Sequence, residues 1–184
     1  MRTILISGAS SGIGLKIAHK QLKEGNRVSA GIRDLESLEG SIIDPRNWPN
    51  EQLILNKYDA LDKNSSKNWI SNTVKSFGSF DTLINSAGIL SKVPFLYKDD
   101  DLDEIDKTMK INFLAVWDLT RLCWEYLSSS KNGRIISIVS MSGKRSKGNL
   151  AAYSCSKFAL MSICQTMRNV GWEKGIRVTT ICPS

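Results

Sequence analysis

The chain has few of the residues on which metal, thiol or hydrolytic chemistry usually depends. It contains a single histidine, His19, and its four cysteines show no C-x-x-C spacing. Neither a nucleophile-elbow sequence nor a cluster with metal-ligand spacing occurs, so we expect no metal site. His19 is interpreted as a surface residue of a helix. Cysteines within apolar stretches indicate reduced, packed thiols and favour a cytoplasmic protein; they are Cys123, Cys155, Cys164 and Cys182.

Long hydrophobic runs are also lacking. No segment approaches the roughly 18 apolar residues that a membrane helix requires, and the first residues, MRTILISG, lack the hydrophobic core of a signal peptide. Apolar residues make up 41% of the chain and charged residues 23%, which is typical of a globular protein and not of a disordered or fibrous one. We therefore expect no membrane partner.

Positive charge is in excess but is not concentrated. The formal net charge is +7, with the basic residues scattered along the chain. Zinc-finger spacing, a basic heptad and an aromatic RNA-binding pattern are all missing, so no nucleic-acid partner is expected. A diffusely basic surface favours phosphorylated small molecules instead. The acidic stretch DDDLDE, residues 99–104, is interpreted as the solvated start of a helix, where the helix dipole favours carboxylates.

The sequence alternates between short apolar or β-branched runs and longer segments of helical periodicity. Strands that are apolar throughout and separated by helices indicate a parallel sheet covered on both faces. The predicted strands are 3–7, 27–32, 52–56, 81–85, 134–140 and 177–182, and the predicted helices are 13–24, 63–77, 101–127 and 151–173. These elements predict an α/β fold with a doubly wound sheet of six strands in three layers, within one domain over residues 1–184.

A glycine-rich turn joins the first strand to the first helix. In SGASSGIG, Gly8, Gly12 and Gly14 permit a tight turn and a close backbone approach, and the N–H groups at the helix start face a phosphate. The spacing is G-x-x-x-G-x-G and not the G-x-G-x-x-G of the dinucleotide fingerprint. A purely structural turn would explain the same glycines, but the strand before them and the helix after them favour a nucleotide site.

Three further patterns occur at strand ends or on a helix. NSAG, residues 85–88, ends the fourth strand, where ligands of open parallel sheets bind. Ser140 ends the fifth strand and can meet Tyr153 over the same crevice. In YSCSK, Tyr153 and Lys157 are four positions apart, so a helix places them on one face. Each pattern has an ordinary alternative: a plain turn, a solvated serine and an amphipathic helix.

Together these motifs resemble the short-chain dehydrogenase/reductase family over the whole chain. The similarity rests on the order and spacing of SGASSGIG, NSAG, Asn112 in KINFLAVW, Ser140 and YSCSK. The chain departs from the family pattern at Ser7, which replaces threonine, at Ser86, which replaces a second asparagine, and at Pro183-Ser184, which replaces Pro-Gly. The resemblance implies a Rossmann-type fold and hydride transfer between a nicotinamide cofactor and a carbonyl or secondary alcohol.

The resemblance assigns catalytic roles to Asn112, Ser140, Tyr153 and Lys157. Tyr153 would be the acid/base that exchanges a proton with the substrate oxygen. Free phenols titrate at about pH 10, and a cation one helical turn away favours the phenolate; Lys157 would also donate to the nicotinamide ribose. Ser140 would hold the substrate oxygen. Asn112 would sustain a local helix distortion and a water-linked proton relay to the lysine.

The end of the second strand bears on the choice between NAD and NADP. By the family pattern, Ile32 occupies the position of an NAD-binding acid and Arg33 the next position, as in members that prefer NADP. Asp34 keeps the NAD alternative open, but alternation along the strand places Arg33 at its tip, so NADP(H) is expected. The residues expected to bind the cofactor are Gly8, Ser10, Ser11, Gly12, Ile13, Gly14, Arg33, Asp59, Ala60, Asn85, Ala87, Gly88, Tyr153, Lys157 and Pro183.

The substrate itself is assigned only by class. The expected pocket residues are Ser140, Met141, Ser142, Leu90, Leu150 and Tyr153. Such a lining suits lipidic, aromatic or small keto compounds better than sugars. The alternative function is a regulatory module that senses the NADP redox state without turnover.

The last two expectations concern assembly and length. Helices 101–127 and 151–173 carry more apolar surface than one sheet face covers. The family pairs these helices across a two-fold axis, so a homodimer or homotetramer is expected. Family members also continue beyond the sixth strand with a further helix and a final strand. We therefore expect the 184 residues to be part of a longer enzyme.

Overall fold

The computed structural model describes residues 1–146 and 148–184. Its strands are β1 (Thr3–Ser7), β2 (Arg27–Ile32), β3 (Leu53–Lys57), β4 (Thr82–Asn85), β5 (Arg134–Ile138) and β6 (Arg177–Ile181). Its α-helices are α1 (Gly12–Lys23), α2 (Lys63–Phe77), α3 (Leu102–Met109), α4 (Ala115–Ser129) and α5 (Ala151–Trp172). A π-helical turn, Lys110–Leu114, joins α3 to α4.

The six strands form one sheet in the order β3-β2-β1-β4-β5-β6. Every neighbouring pair is parallel, and Ser7 of β1 lies opposite Gly31 of β2 and Asn85 of β4. From β1 the chain winds to one edge through β3 and then to the other edge through β6. The predicted six-stranded, doubly wound arrangement is confirmed. The reversal of direction places a crevice at the carboxyl ends of β1 and β4.

Side chains of the central strands alternate between the two faces of the sheet. Leu5 packs in an apolar cluster with α2, α4 and α5, whereas Ile4 and Ile6 pack in a second cluster with α1. All three side chains are buried. Helices therefore cover both faces, which is the three-layer arrangement expected for parallel strands that are apolar throughout.

Two elements differ from their predicted limits by more than one residue. The helix predicted over 101–127 is divided by the π turn, which contains Asn112, and the strand predicted over 134–140 ends at Ile138. The strand ends early because Ser140, with φ +148°, starts a short 3-10 turn over Met141–Gly143. Across residues 1–146 and 148–184, no helix is both long and apolar enough to cross a membrane.

Candidate active site

The glycine loop and the end of β4 approach each other too closely for side chains. Gly8 has φ +68°, and a Cβ there would lie 2.7 Å from Ala87 Cα. Ser7 Oγ accepts hydrogen bonds from Ser86 N at 3.1 Å and Ala87 N at 3.2 Å. The hydroxyl of Ser7, which replaces the family threonine, therefore joins the two loops that form the floor of the crevice.

The start of α1 offers unpaired backbone donors to this crevice. Its N-cap residue, Ser11, is extended, and the serine side chain makes no capping hydrogen bond. Around Gly12 there is open space where a Cβ would stand. The first N–H groups of a helix have no partner within the helix and attract anions through the helix dipole. These residues fit the diphosphate of a dinucleotide cofactor.

A cavity of about 330 Å³ extends along the carboxyl edge of the sheet, past the ends of β3, β2, β1, β4 and β5. Ten residues that were predicted to bind a cofactor line it: Gly8, Ser10, Ser11, Gly12, Ile13, Arg33, Asp59, Ala60, Ala87 and Gly88. Nine others that were not assigned this role also line it: Gly31, Ile32, Tyr58, Leu61, Ser86, Ile89, Lys107, Ile111 and Ile138. Seven of the nine lie at or shortly after the ends of strands, so strand limits could have identified them. Lys107 and Ile111 carried no such signal.

Three predicted cofactor residues support the cavity from outside it. Asn85 is buried in β4, and its Nδ2 donates to Thr120 Oγ1 and Ser137 Oγ, each at 3.3 Å, because a buried amide needs partners. The Asn85 side chain therefore lies within the sheet, and it is not among the residues that line the cavity. Gly14 packs against the Gly8 carbonyl. The carbonyl of Pro183 accepts from Met141 N at 2.9 Å.

The buried amide of Asn112 connects three parts of the site. Its Oδ1 accepts from Ile89 N at 2.8 Å, and its Nδ2 donates to Ile89 O at 2.9 Å and to Ser156 Oγ at 3.1 Å. Ser156 Oγ in turn donates to Tyr153 O at 2.7 Å. Asn112 thereby fixes the loop after β4 relative to α5, the helix that carries Tyr153 and Lys157.

Lys157 lies just behind the wall of the cavity. Its ammonium donates to Ile138 O at 3.1 Å and stands 5.7 Å from the centre of the Tyr153 ring. A Cβ on Gly88 would lie 3.1 Å from Asn112 Oδ1 and 3.5 Å from Lys157 Nζ, so the ammonium lies next to the cavity wall at Gly88. Lys157 is 5% exposed, and this burial lowers the pKa of its ammonium to about 8.

Ser140 is held in an unusual conformation beside α5. Its φ of +148° is rare for a residue with a side chain, and such a conformation persists only where neighbouring contacts impose it. Ser140 Oγ accepts from Ser142 N at 3.0 Å. The turn that follows packs on α5, because a Cβ on Gly143 would lie 2.8 Å from the Lys157 carbonyl. The Ser140 turn and the Lys157 segment are therefore in direct contact.

The remaining substrate-pocket residues differ in burial. Ser142 is buried, Met141 and Leu150 are half-buried, and Leu90 is exposed. None of these four lines the cavity at the glycine loop.

A doubly wound parallel sheet with a phosphate-suited glycine turn at its switch point is typical of nucleotide-binding α/β proteins. The family model described as short chain dehydrogenase matches residues 2–184. The chain therefore belongs to the short-chain dehydrogenase/reductase family, whose members are oxidoreductases that use a nicotinamide cofactor and act on small molecules. The family resemblance found in the motifs is confirmed.

Similar proteins and structures agree with this assignment. The chain is 37% identical over 180 residues to an agropine synthesis reductase of Rhizobium rhizogenes, covering 98% of this chain and 41% of that protein. It is 31% identical over 186 residues to a dehydrogenase/reductase SDR family protein 7-like of Anopheles gambiae, covering 99% of this chain and 58% of that protein. The chain thus spans about two fifths to three fifths of the length of these relatives.

Two solved structures share the fold over the whole chain. A short-chain dehydrogenase from Streptomyces avermitilis superposes with a TM-score of 0.90 at 23% identity, covering 100% of this chain and 67% of that chain. A short-chain dehydrogenase/reductase of unknown function from Caenorhabditis elegans, solved with cofactor, superposes with a TM-score of 0.89 at 28% identity. This match covers 100% of the present chain and 69% of the Caenorhabditis elegans chain.

The lowered pKa of Lys157 predicts a pH dependence of stability. Below pH 8 the lysine is protonated in both states, whereas between about pH 8 and 10.5 the unfolded chain binds a proton that the folded chain has lost. The free energy of unfolding should therefore rise through this window, by up to about 3 kcal/mol from this group. Urea denaturation across the window should show this rise in the parent and not in Lys157→Met. Lys16→Met, which removes an exposed ammonium, is the control; parallel curves for the parent and Lys157→Met would contradict the assignment.

Proposed function

We propose that residues 1–184 form one dinucleotide-binding and catalytic domain of an NADP(H)-dependent oxidoreductase. It moves a hydride between nicotinamide and a carbonyl or secondary alcohol, with Tyr153 as acid/base. The observation that carries this proposal is the buried ammonium of Lys157, 5.7 Å from the Tyr153 ring and adjacent to the cavity wall at Gly88. A lysine buried this deeply is rare and is characteristic of functional sites.

Each catalytic side chain has a distinct task. Bound NADP(H) supplies or accepts the hydride. The Tyr153 hydroxyl gives a proton to the substrate oxygen or takes one from it, and the Lys157 cation stabilises the resulting phenolate. Ser140 Oγ already accepts from Ser142 N, so its own proton is free to donate to the substrate oxygen as negative charge develops. The half-buried Met141 and Leu150 favour lipidic, aromatic or small keto substrates.

Asn112 is a positioning residue in this scheme. Its amide pairs with both backbone groups of Ile89, and Ser156 links it to the backbone of Tyr153. These hydrogen bonds hold Tyr153 in a fixed position relative to the cavity wall. Hydride transfer requires this fixed geometry, because small displacements of the reacting groups greatly reduce the reaction rate.

Replacing Tyr153 with phenylalanine tests the acid/base role. The substitution removes only the hydroxyl, so turnover should fall by about 10²- to 10⁴-fold while NADPH affinity stays within about twofold. Nicotinamide absorbance with a panel of lipidic, aromatic and small keto compounds measures the rate, and fluorescence titration measures binding. Lys157→Ala should impair both. Retention of most turnover in Tyr153→Phe would exclude the mechanism, and a parent that binds NADPH without any turnover would favour the redox-sensor alternative.

The contacts of the residues after β2 support the choice of NADP(H). Arg33 is exposed and lines the cavity. Asp34, the acid that could bind an unphosphorylated ribose, does not line it. Its Oδ1 accepts from Glu36 N at 3.0 Å and so belongs to the next turn. A guanidinium at the tip of the strand suits the 2′-phosphate.

Removal of Arg33 should narrow the preference for NADPH. In the parent, NADPH should bind more tightly than NADH. In Arg33→Ala the difference should shrink by about 1.5–3 kcal/mol, because a charge-assisted contact to the 2′-phosphate is lost. Calorimetric titration with both cofactors measures the ratio. Asp34→Ala is the matched control and should leave the ratio of NADPH to NADH affinity unchanged. Equal affinities of the parent for NADPH and NADH would show that Arg33 does not bind the 2′-phosphate.

The assembly follows from apolar side chains that α4 and its flanking turn leave exposed. Leu114 is 48% and Trp117 46% exposed, and Phe158 on α5 is 45% exposed. Large contiguous apolar patches are uncommon on the surfaces of monomers. A second copy of the chain covers these faces in a homodimer or homotetramer through the helices predicted over 101–127 and 151–173.

Trp117→Lys should dissociate this assembly. A charge at the centre of an apolar helix interface cannot be buried without a partner. Sedimentation velocity should show an oligomer for the parent and a monomer for Trp117→Lys. Leu35→Lys changes an equally exposed leucine outside these helices and should leave the oligomer intact. A parent that sediments as a monomer at every concentration would refute the proposed assembly.

The location of the protein follows from its thiols. All four cysteines are free, including two that are buried, Cys123 and Cys164. Burial raises the pKa of both buried thiols, which keeps them protonated and unreactive. Free thiols persist in reducing compartments, so the cytoplasm is the proposed location.

A further inference from the structure

Two cations line the cavity on opposite sides of the glycine loop. Arg33 follows β2, and Lys107 lies on α3, whose following π turn is hydrogen-bonded through Asn112 to the loop after β4. Because β2 and β4 flank β1 in the sheet, the loops that follow these two strands lie on either side of the glycine loop. Asp59 is the one carboxylate among the described lining residues, and its Oδ1 accepts from Leu61 N at 2.9 Å. The cavity therefore has an excess of positive charge.

Lys107 has no carboxylate partner in the described part of the chain. Its neighbour Lys110 lies 3.9 Å from Asp106, whereas none of the ion pairs within residues 1–146 and 148–184 includes Lys107. Lys107 precedes Ile111 by four residues, and both line the cavity. The adjacent Asn112 fixes this face through its hydrogen bonds to Ile89. The Lys107 ammonium is thus available to an anion in the cavity.

We infer that Lys107 binds the diphosphate of the cofactor, as a charged contact beside the backbone N–H groups of the glycine loop. This inference rests on the proposed function. The diphosphate of a dinucleotide lies at the start of the helix after the first strand, whereas a 2′-phosphate lies at the end of the second strand. Lys107 is separated from that strand end by the glycine loop. A lysine ammonium suits a phosphate as a point charge without strict geometry.

The two cations therefore have different effects on cofactor choice. Arg33 contacts a group that only NADP(H) carries, so it discriminates between the cofactors. Lys107 contacts a group that both cofactors carry, so it adds affinity without discrimination. The contact should weaken with added salt, since exposed charge pairs are screened.

Lys107→Met tests this division, because methionine keeps much of the side-chain length and removes the charge. The dissociation constants for NADPH, NADH and ADP-ribose should all rise by the same factor, about fivefold to tenfold. ADP-ribose carries the diphosphate but neither nicotinamide nor a 2′-phosphate, so it isolates the contact from both ends of the cofactor. Lys110→Met removes the same charge from the same segment outside the cavity. It should leave all three constants unchanged.

The outcomes separate this inference from the proposed function. Dissociation constants within twofold of the parent for Lys107→Met would overturn it. So would a loss confined to NADPH, which would place the ammonium at the 2′-phosphate. Equal losses of affinity in Lys107→Met and Lys110→Met would show that net charge alone causes the effect, and this would also overturn the inference. A parent that binds none of the three ligands would contradict the proposed function and this inference with it, whereas tight parental binding that Lys107→Met leaves intact would contradict only the inference.

Discussion

The site depends on one buried side-chain amide, that of Asn112. Three hydrogen bonds connect this amide to the loop after β4 and to α5, which are far apart in the sequence. Without them, both backbone groups of the half-buried Ile89 would lose their partner, and the cost of each would reach at most the roughly 1–3 kcal/mol of a fully buried unpaired group. The π turn over Lys110–Leu114 contains Asn112, so the departure from regular α-helical geometry coincides with the residue that makes these hydrogen bonds.

Lys157 shows that the site is not optimised for stability. A reduction of its pKa from 10.5 to about 8 corresponds to about 3 kcal/mol of unfavourable burial for the charged form. This is a net cost, which remains although the ammonium donates a hydrogen bond to Ile138 O. A typical domain is stable by about 5–15 kcal/mol, so the cost is a substantial fraction. The strained backbone of Ser140, which packs beside Lys157, adds to it.

The sequence predicted the fold and the order of the motifs, because period-two and period-3.6 patterns are local and strong. Glycines at the first turn were likewise visible as residue types. The family resemblance implied a helix distortion at Asn112, where the π turn lies, but periodicity alone did not predict it, because the pairing of Asn112 with Ile89 is a contact made only in the folded chain. The inward position of Asn85 depends on partners from α4 and β5. Lys107 gave no signal as a lining residue, because its place beside the crevice depends on how α3 packs.

Two kinds of group in the crevice can bind a cofactor: backbone N–H groups and charged side chains. Backbone N–H groups at the start of α1 lie against whatever anion enters, and glycines keep that surface free of side chains. Such donors cannot distinguish one dinucleotide from another. Discrimination must therefore come from a charged side chain beside the glycine loop, and Arg33 is the one proposed for it. Since β2 and β4 stand on either side of β1, the same strand order that opens the crevice also separates Arg33 from Lys107. With the roles proposed for Arg33 and Lys107, the doubly wound topology allows cofactor affinity and cofactor choice to change independently, one residue at a time.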